Sequence, residues 1–290
     1  MPDYTFRLAR EEDLPRMHHL WRTGFGDTEA FMACFEQRMF HSEWMELALC
    51  QDEPAAMLTL IPCTLHLASG GVYRSGFYYA LTTAPEHRGQ GLAPELLKKA
   101  VEHRVGKGMD CLLGVPDNDS LYLYYDKVAR LKEAFYTRMV HPTAEELTGC
   151  RPLRLQPVDA GEYYAIRESY LGGTTYVSWD REAVDFQGEI CRQGDGGLYR
   201  LEGSRPGCAA VQYAADGSLL VNEVLADEED LPGCLAGILE RMPAERSEFR
   251  MPTWMGTALG GEIQHFGVIT PGDPQSRITG KNGYIGLDLA

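Results

Sequence analysis

The sequence predicts a mixed α/β fold, a sheet with helices on both faces, laid down twice along 290 residues. Three observations predict it. Stretches that alternate apolar and polar residues give way to stretches whose apolar residues recur three and four apart, the periods of strand and helix. The run Cys111-Leu-Leu-Gly-Val115 is short and wholly apolar, the pattern of a strand covered on both faces. The outline of the first half then recurs, faintly, in the second.

Taken in order, Tyr4–Leu8 alternates and reads as the first strand. Glu11, Glu12 and Asp13 place acid where a helix N-terminus favours it. Leu14, Met17, Leu20, Trp21 and Phe25 follow at helical spacing, with Gly24 and Gly26 as the stop. A second helix is expected over 29–40, strands over 45–50 and 55–68, a short piece at 72–74 and a strand over 77–83. Helix 94–105 turns Leu96, Leu97, Ala100 and Val101 inward and stops at Gly106 and Gly108. Strand 111–115, helix 118–130 and strand 134–140 close the first copy.

A polar stretch from His141 and the prolines at 152 and 157 put a boundary near residue 150. The expected domains are therefore 1–142 and 150–290. In the second, helices 160–171 and 181–192 precede strands 197–202, 207–214 and 219–224, with a hairpin turn at Asp216-Gly217. Helix 231–242 and strand 248–251 follow. Residues 1–142 carry a net charge of −4 and residues 143–290 one of −11.

The whole chain is at −15, which makes it a poor candidate for gripping nucleic acid or an anionic membrane, since both need a basic face. The acidic surface suits a cationic small molecule better. Eight scattered cysteines form no C-x-x-C pair and no zinc spacing with His, so they read as small core residues of a reducing cytoplasm, and no metal is expected. The first residues are charged at once, and no apolar run approaches the ~20 residues of a membrane span. A cytoplasmic protein is expected, and a homo-oligomer stays open.

The sharpest feature is Ala80-Leu-Thr-Thr-Ala-Pro-Glu-His-Arg88-Gly89-Gln90-Gly91-Leu92-Ala93, a strand end and a glycine-rich loop that runs straight into a helix. Backbone N–H groups at such a helix start have no partner within the helix and face an anion with the positive end of the dipole. Neither G-x-G-x-x-G nor Gly-Lys-Ser/Thr is present, so neither the dinucleotide nor the Walker fingerprint applies. The loop resembles that of the GNAT N-acetyltransferase superfamily, Arg/Gln-x-x-Gly-x-Gly/Ala, with Arg88, Gly91 and Ala93 in its fixed places. Pro85 precedes it as in the family. Downstream, Asn118-Asp-Ser-Leu-Tyr-Leu-Tyr-Tyr125-Asp-Lys127 resembles the family's Asn…Leu-Tyr-Glu-Lys helix.

The resemblance implies a GNAT acyl-CoA fold over residues 4–140 and acetyl-CoA as acyl donor. Leu81, Thr82 and Thr83 would offer backbone groups to the pantetheine arm at a splay between strands. The amides from Arg88 to Ala93 (Arg88, Gly89, Gln90, Gly91, Leu92 and Ala93) would hold the pyrophosphate, and Asn118 would touch the CoA side. Tyr125 would protonate the leaving thiolate as general acid, or simply pack its ring on the sheet. The family helix ends Gly-Phe where this chain has Ala129 and Arg130, which is expected to alter the turn.

No acid lies on strand 77–83 to act as base. Glu86 and His87 are expected to face solvent, and Asp117 and Asp119 to cap the following helix. The two-copy layout resembles the tandem-GNAT proteins related to the enhanced-intracellular-survival acetyltransferases, in which the chain's own terminal carboxylate serves the first domain. That resemblance makes the Ala290 carboxylate, or Asp288, the candidate base.

The second copy lacks the loop. Its equivalent is Leu225-Ala-Asp-Glu-Glu-Asp-Leu-Pro-Gly233, whose four acids would repel a pyrophosphate, so one CoA per chain is expected. These acids form either a helix start or a rim that draws a cationic ligand, and Trp179 and Trp254 either stack on such a ligand or lie in the core. Two functions follow as expectations. One is a direct N-acetyltransferase acting on a primary amine of a small cationic substrate at a cleft between the domains. The other is a non-catalytic acetyl-CoA sensor or assembly module.

Overall fold

The computed structural model describes residues 3–143 and 145–290. In chain order the elements are β1 (Tyr4–Leu8), α1 (Leu14–Phe25), α2 (Glu29–Met39), β2 (Met45–Cys50), β3 (Glu53–His66), β4 (Val72–Thr83), α3 (Leu92–Gly106), β5 (Cys111–Gly114), α4 (Asp119–Ala129) and β6 (Lys132–Val140). There follow β7 (Leu155–Pro157), α5 (Ala160–Leu171), β8 (Thr175–Trp179), α6 (Arg181–Gln193), β9 (Gly197–Leu201), β10 (Gly207–Tyr213), β11 (Leu219–Leu225) and α7 (Leu231–Arg241). The last are β12 (Ser247–Met251), β13 (Glu262–Ile269), α8 (Asp273–Ser276) and β14 (Gly283–Tyr284). The segments 72–74 and 77–83, separate in the sequence reading, form the one strand β4, because the small buried Ser75 and Gly76 continue it.

The chain divides into two compact units that are discontinuous in sequence. The first comprises residues 1–65, 72–133 and 267–277, the second 66–71, 134–266 and 278–290. A cut at 142–150 therefore does not coincide with this division. Residues 134–142 pack with the second unit and residues 267–277 with the first.

In the first unit the strand order is β1-β2-β3-β4-β5, with the end of β13 beside β5. β1 and β2 run antiparallel, as do β2 and β3, while β4 and β5 run parallel from Ser75/Cys111 to Phe77/Leu113. Val268 and Ile269 pair antiparallel with Gly114 and Leu113. One face is covered by α3 and α4, whose Leu92, Leu96, Leu97, Ala100, Tyr122 and Tyr125 pack on Leu58, Leu60, Tyr78 and Leu112. Toward α1 and α2, Trp21 meets Phe35 at 4.6 Å, and Phe35 stacks on Tyr79 at 5.8 Å. The acids at 11–13 form a short 3₁₀ turn rather than the first turn of α1. Asp13 accepts from the Arg10 amide at 2.8 Å and from both Arg7 Nη atoms at 2.7 and 2.9 Å. Only Gly26 ends α1, with φ +76. Gly24 lies inside the helix, where a Cβ would stand 2.2 Å from Thr82 Oγ1, so its small size admits β4.

The second unit repeats this scheme in the order β7-β9-β10-β11-β12, with β6 beside β12. β7/β9, β9/β10 and β10/β11 are antiparallel and β11/β12 parallel. As in the first unit, two helices follow the opening strand and one helix joins the fourth and fifth strands. β8, inserted between α5 and α6, was not foreseen. It pairs in parallel with β14. At the centre Arg167 and Glu223, both fully buried, pair at 2.9 Å. Tyr163 Oη donates to Glu223, and Arg167 donates to the carbonyls of Val177 and Ile285. The final segment is thereby tied into this unit, and Ile285, Leu287 and Leu289 have no exposed surface.

Candidate active site

The loop of the first unit is built from the end of β4. After Pro85–His87, a single 3₁₀ turn, Arg88 returns to extended backbone and its Nε donates to the Thr83 carbonyl at 3.0 Å. The arginine of the motif thus pins the loop to the strand it leaves. Gly89 and Gly91 take φ of +74 and +75, a left-handed backbone that side chains resist, and a Cβ on either would meet no protein atom within 4 Å. The space they face is open. Gly91 is the N-cap of α3, and the first helical bond, Glu95 N–H to the Gly91 carbonyl, leaves the amides of Leu92 and Ala93 outside the helix ladder. Thr83, His87, Arg88, Gly89, Gly91, Leu92, Ala93, Pro94, Tyr124 and Val128 line a cavity of about 410 Å³ over these amides. That lies in the range of small-molecule sites.

Two supports of the loop carry no sequence signal. Tyr4 Oη on β1 donates to Gln90 Oε1 and hydrogen-bonds His87 Nδ1, both at 3.0 Å. Arg16 Nη2 donates to Glu86 at 2.9 Å, and Arg16 Nε to the Pro54 carbonyl at 3.1 Å. Glu86 and His87 are therefore fasteners of the loop, and the Gln90 side chain is spoken for. Charge on Glu86 is favoured by a backbone amide and by Arg16, which lower its pKa.

Beyond Phe77/Leu113 the ladder between β4 and β5 stops, and Ala80 turns left-handed at φ +50. This is a costly conformation for a residue with a Cβ, of the kind concentrated at functional sites. Leu81, Thr82 and Thr83 continue from that kink toward the loop, and Thr83 Oγ1 is buried with no hydrogen-bond partner among the described residues. Tyr125 lies on the inner face of α4, 7% exposed, its ring 5.3 Å from that of Tyr78. Burial, with a smaller contribution from Tyr124, pushes its phenol up to about 12. The neighbour that reaches the loop cavity is Tyr124, which the motif does not mark.

Asn118 does not line that cavity. It caps α4, accepting from the Leu121 amide at 3.3 Å and from Ser120 Oγ at 2.6 Å. The cap is Asn118 and neither Asp117 nor Asp119. Arg130 adopts the left-handed cap at φ 56, its amide bonded to the Asp126 carbonyl, and the buried Leu131 follows.

In the second unit three acids of the run 227–230 are engaged locally. Asp227 pairs with Arg205 at 3.0 Å, and Asp230 accepts from the Ser204 amide. Glu228 accepts from the Gly256 amide at 2.7 Å and from Thr257 Oγ1 at 3.2 Å. Trp179 is core, and Trp254 rests edge-on against Tyr284 at 6.1 Å. Asp288 Oδ2 accepts from Arg250 Nη1 at 2.7 Å, and its Oδ1 is buried with no hydrogen-bond partner among the described residues. Ala290 is exposed in this unit, after a Leu289 amide held by Gln187 Oε1 at 3.0 Å. No helix among the described residues is long and apolar enough to cross a membrane.

A pinned glycine loop at a helix start, beside two parallel strands that part, defines the class as the GNAT fold. Residues 5–128 match the family model described as an acetyltransferase (GNAT) domain. The fold extends over nearly the whole chain. It is similar to a GCN5-related N-acetyltransferase from Kribbella flavida, with 15% identity and a TM-score of 0.70 over 92% of this chain and 71% of that one. One from Anabaena variabilis gives 12% and 0.72 over 92% and 72%. Eis1 from Mycobacterium abscessus gives 11% and 0.68 over 92% and 73%. No curated protein sequence matches the chain.

Proposed function

We propose that the first unit binds acetyl-CoA and transfers its acetyl group directly to the primary amine of a small cationic molecule. The observation that carries this is the loop 88–93, fastened by Arg88, Tyr4 and Arg16, with amides outside the helix ladder at the start of α3. The residues fit the donor. Gly89 and Gly91 leave room for a pyrophosphate, the amides of Leu92 and Ala93 face it, and the kinked end of β4 offers Leu81–Thr83 to the pantetheine arm. The thioester supplies an activated acyl carbon: the amine nitrogen bonds to it, the carbon–sulfur bond breaks, the nitrogen sheds a proton to water and the thiolate gains one.

Tyr125 is the donor of that last proton. A phenol at about 12 is a weak acid, but burial raises a thiol as well, and the buried Cys111 is pushed up to about 11. Burial thus moves a phenol and a thiol in the same direction. The net charge of −15 favours an ammonium as it approaches.

Calorimetric titration with acetyl-CoA, on the wild type and on Gly91→Glu, tests the reading. The expected result is one site per chain, lost in the variant, in which a carboxylate meets the pyrophosphate. Folded wild-type protein that does not bind acetyl-CoA sinks it.

A further inference from the structure

Where β4 and β5 part, Tyr78 is the first residue of β4 beyond its ladder with β5, and Gly114 ends β5. The Tyr78 ring lies across that glycine. A Cβ at Gly114 would stand 2.4 Å from both Cε1 and Cζ, the carbon that bears the hydroxyl. The hydroxyl is therefore at the opening between the strands. It is buried, on a side chain only 5% exposed, and has no hydrogen-bond partner among the described residues. Its near neighbours Tyr125 and Tyr122 are themselves buried phenols.

A buried hydroxyl without a partner is unfavourable, and phenylalanine would fill the same space without that cost. The group is accounted for if its partner arrives with the substrate. Five residues of strand, about 16 Å at roughly 3.3 Å each, separate Tyr78 from Thr83 at the loop cavity. The pantetheine arm covers such a span. Tyr125 is assigned to the sulfur, and the Tyr78 ring is 5.3 Å from it. Sulfur and oxygen of a thioester share one carbon, so two phenols this close can address both.

We propose that the Tyr78 hydroxyl donates a hydrogen bond to the acyl carbonyl oxygen of acetyl-CoA and stabilises the charge that gathers there as the amine adds. This rests on the acetyl-CoA reading above. Burial holds the Tyr78 proton well beyond the ordinary phenol range, so the group presents a donor to that oxygen.

The test is infrared difference spectroscopy with acetyl-CoA carrying ¹³C at the thioester carbonyl, on wild type, Tyr78→Phe and Tyr125→Phe, together with thermal melts of the free proteins. The bound carbonyl band should fall below its solution position in the wild type and in Tyr125→Phe, and return toward it in Tyr78→Phe. Turnover in Tyr78→Phe should drop roughly 10²–10³-fold, as for loss of one donor to a developing oxyanion. Its Tm without ligand should be no lower than the wild type's. An unshifted band in the bound wild type, or a band unchanged by Tyr78→Phe, overturns the proposal. A Tyr78→Phe protein that melts earlier or does not fold also overturns it, because the hydroxyl then has a partner within the protein. Wild type that binds no acetyl-CoA overturns the donor reading, and this inference with it.

Discussion

The Tyr78 ring rests on the bare Cα of Gly114, closer than any side chain at 114 would permit. A strand that is otherwise wholly apolar thus ends on a glycine for the sake of its neighbour's ring. Gly114→Ala should force the phenol out of its place, at a cost of about 1–3 kcal/mol for overpacking. Urea unfolding reads the stability, and a midpoint equal to the wild type's would show that the ring moves freely.

Tyr125→Phe separates the enzyme from the sensor. In a transferase that uses the phenol as acid, kcat should fall about 10²–10⁴-fold with acetyl-CoA affinity retained. Because burial places the phenol at about 12, it stays protonated as pH rises through neutrality, and the wild type's kcat should show no falling limb from this group below roughly pH 11. Turnover measured from pH 6 to 10 on both proteins checks this. Equal kcat in the variant would remove Tyr125 from the chemistry.

Arg130 holds a left-handed backbone that glycine adopts without strain. Arg130→Gly should therefore stabilise the end of α4, by about 1 kcal/mol from relief of the left-handed penalty less the added freedom of the unfolded chain. A differential melt is sufficient. A drop in Tm would mean that the Arg130 side chain contributes more than its backbone costs.

Asp13 is a buried carboxyl whose pKa is lowered, first by the Arg7 hydrogen bonds and then by the Arg10 amide. A group whose folded pKa is depressed contributes stability that is present above about pH 4 and is lost as pH falls through the folded value. Asp13→Asn should cost about 1–3 kcal/mol at pH 7 and progressively less below pH 4. Stability curves of the two proteins that stay parallel down to pH 2 would contradict the pairing.

Much of this molecule is legible in its sequence because much of it is local. The Arg88–Ala93 loop, the helix that follows and the Asn118 cap are each specified by residues a few positions apart. The repeat was also legible, since α5, α6, the strands 197–225 and α7 follow the same periods as their counterparts. What the sequence conceals is pairing over distance. Val268 pairs with Gly114 and Phe249 with Val140, and no period or cap links such residues. The grip of Tyr4 and Arg16 on the loop is hidden for the same reason. Gly24 misled differently: a glycine read as a helix stop is instead a packing residue beneath Thr82. The acidic run 227–230 stands out by composition, whereas the amides and the Arg205 that Asp227, Glu228 and Asp230 meet come from elsewhere in the fold.

The discontinuous units impose an order on birth at the ribosome. Everything that forms the loop cavity has been synthesised by Val128, yet the outer edge of β5 is covered only by Val268 and Ile269. At roughly 5–20 residues per second, those residues emerge about 8–31 s after Gly114. Throughout that interval the nascent first unit carries an open strand edge, the feature most prone to wrong pairing. β6, finished early, waits in turn for β12. A chain cut between the two copies would keep every residue of the cavity and still part β5 from β13 and β6 from β12.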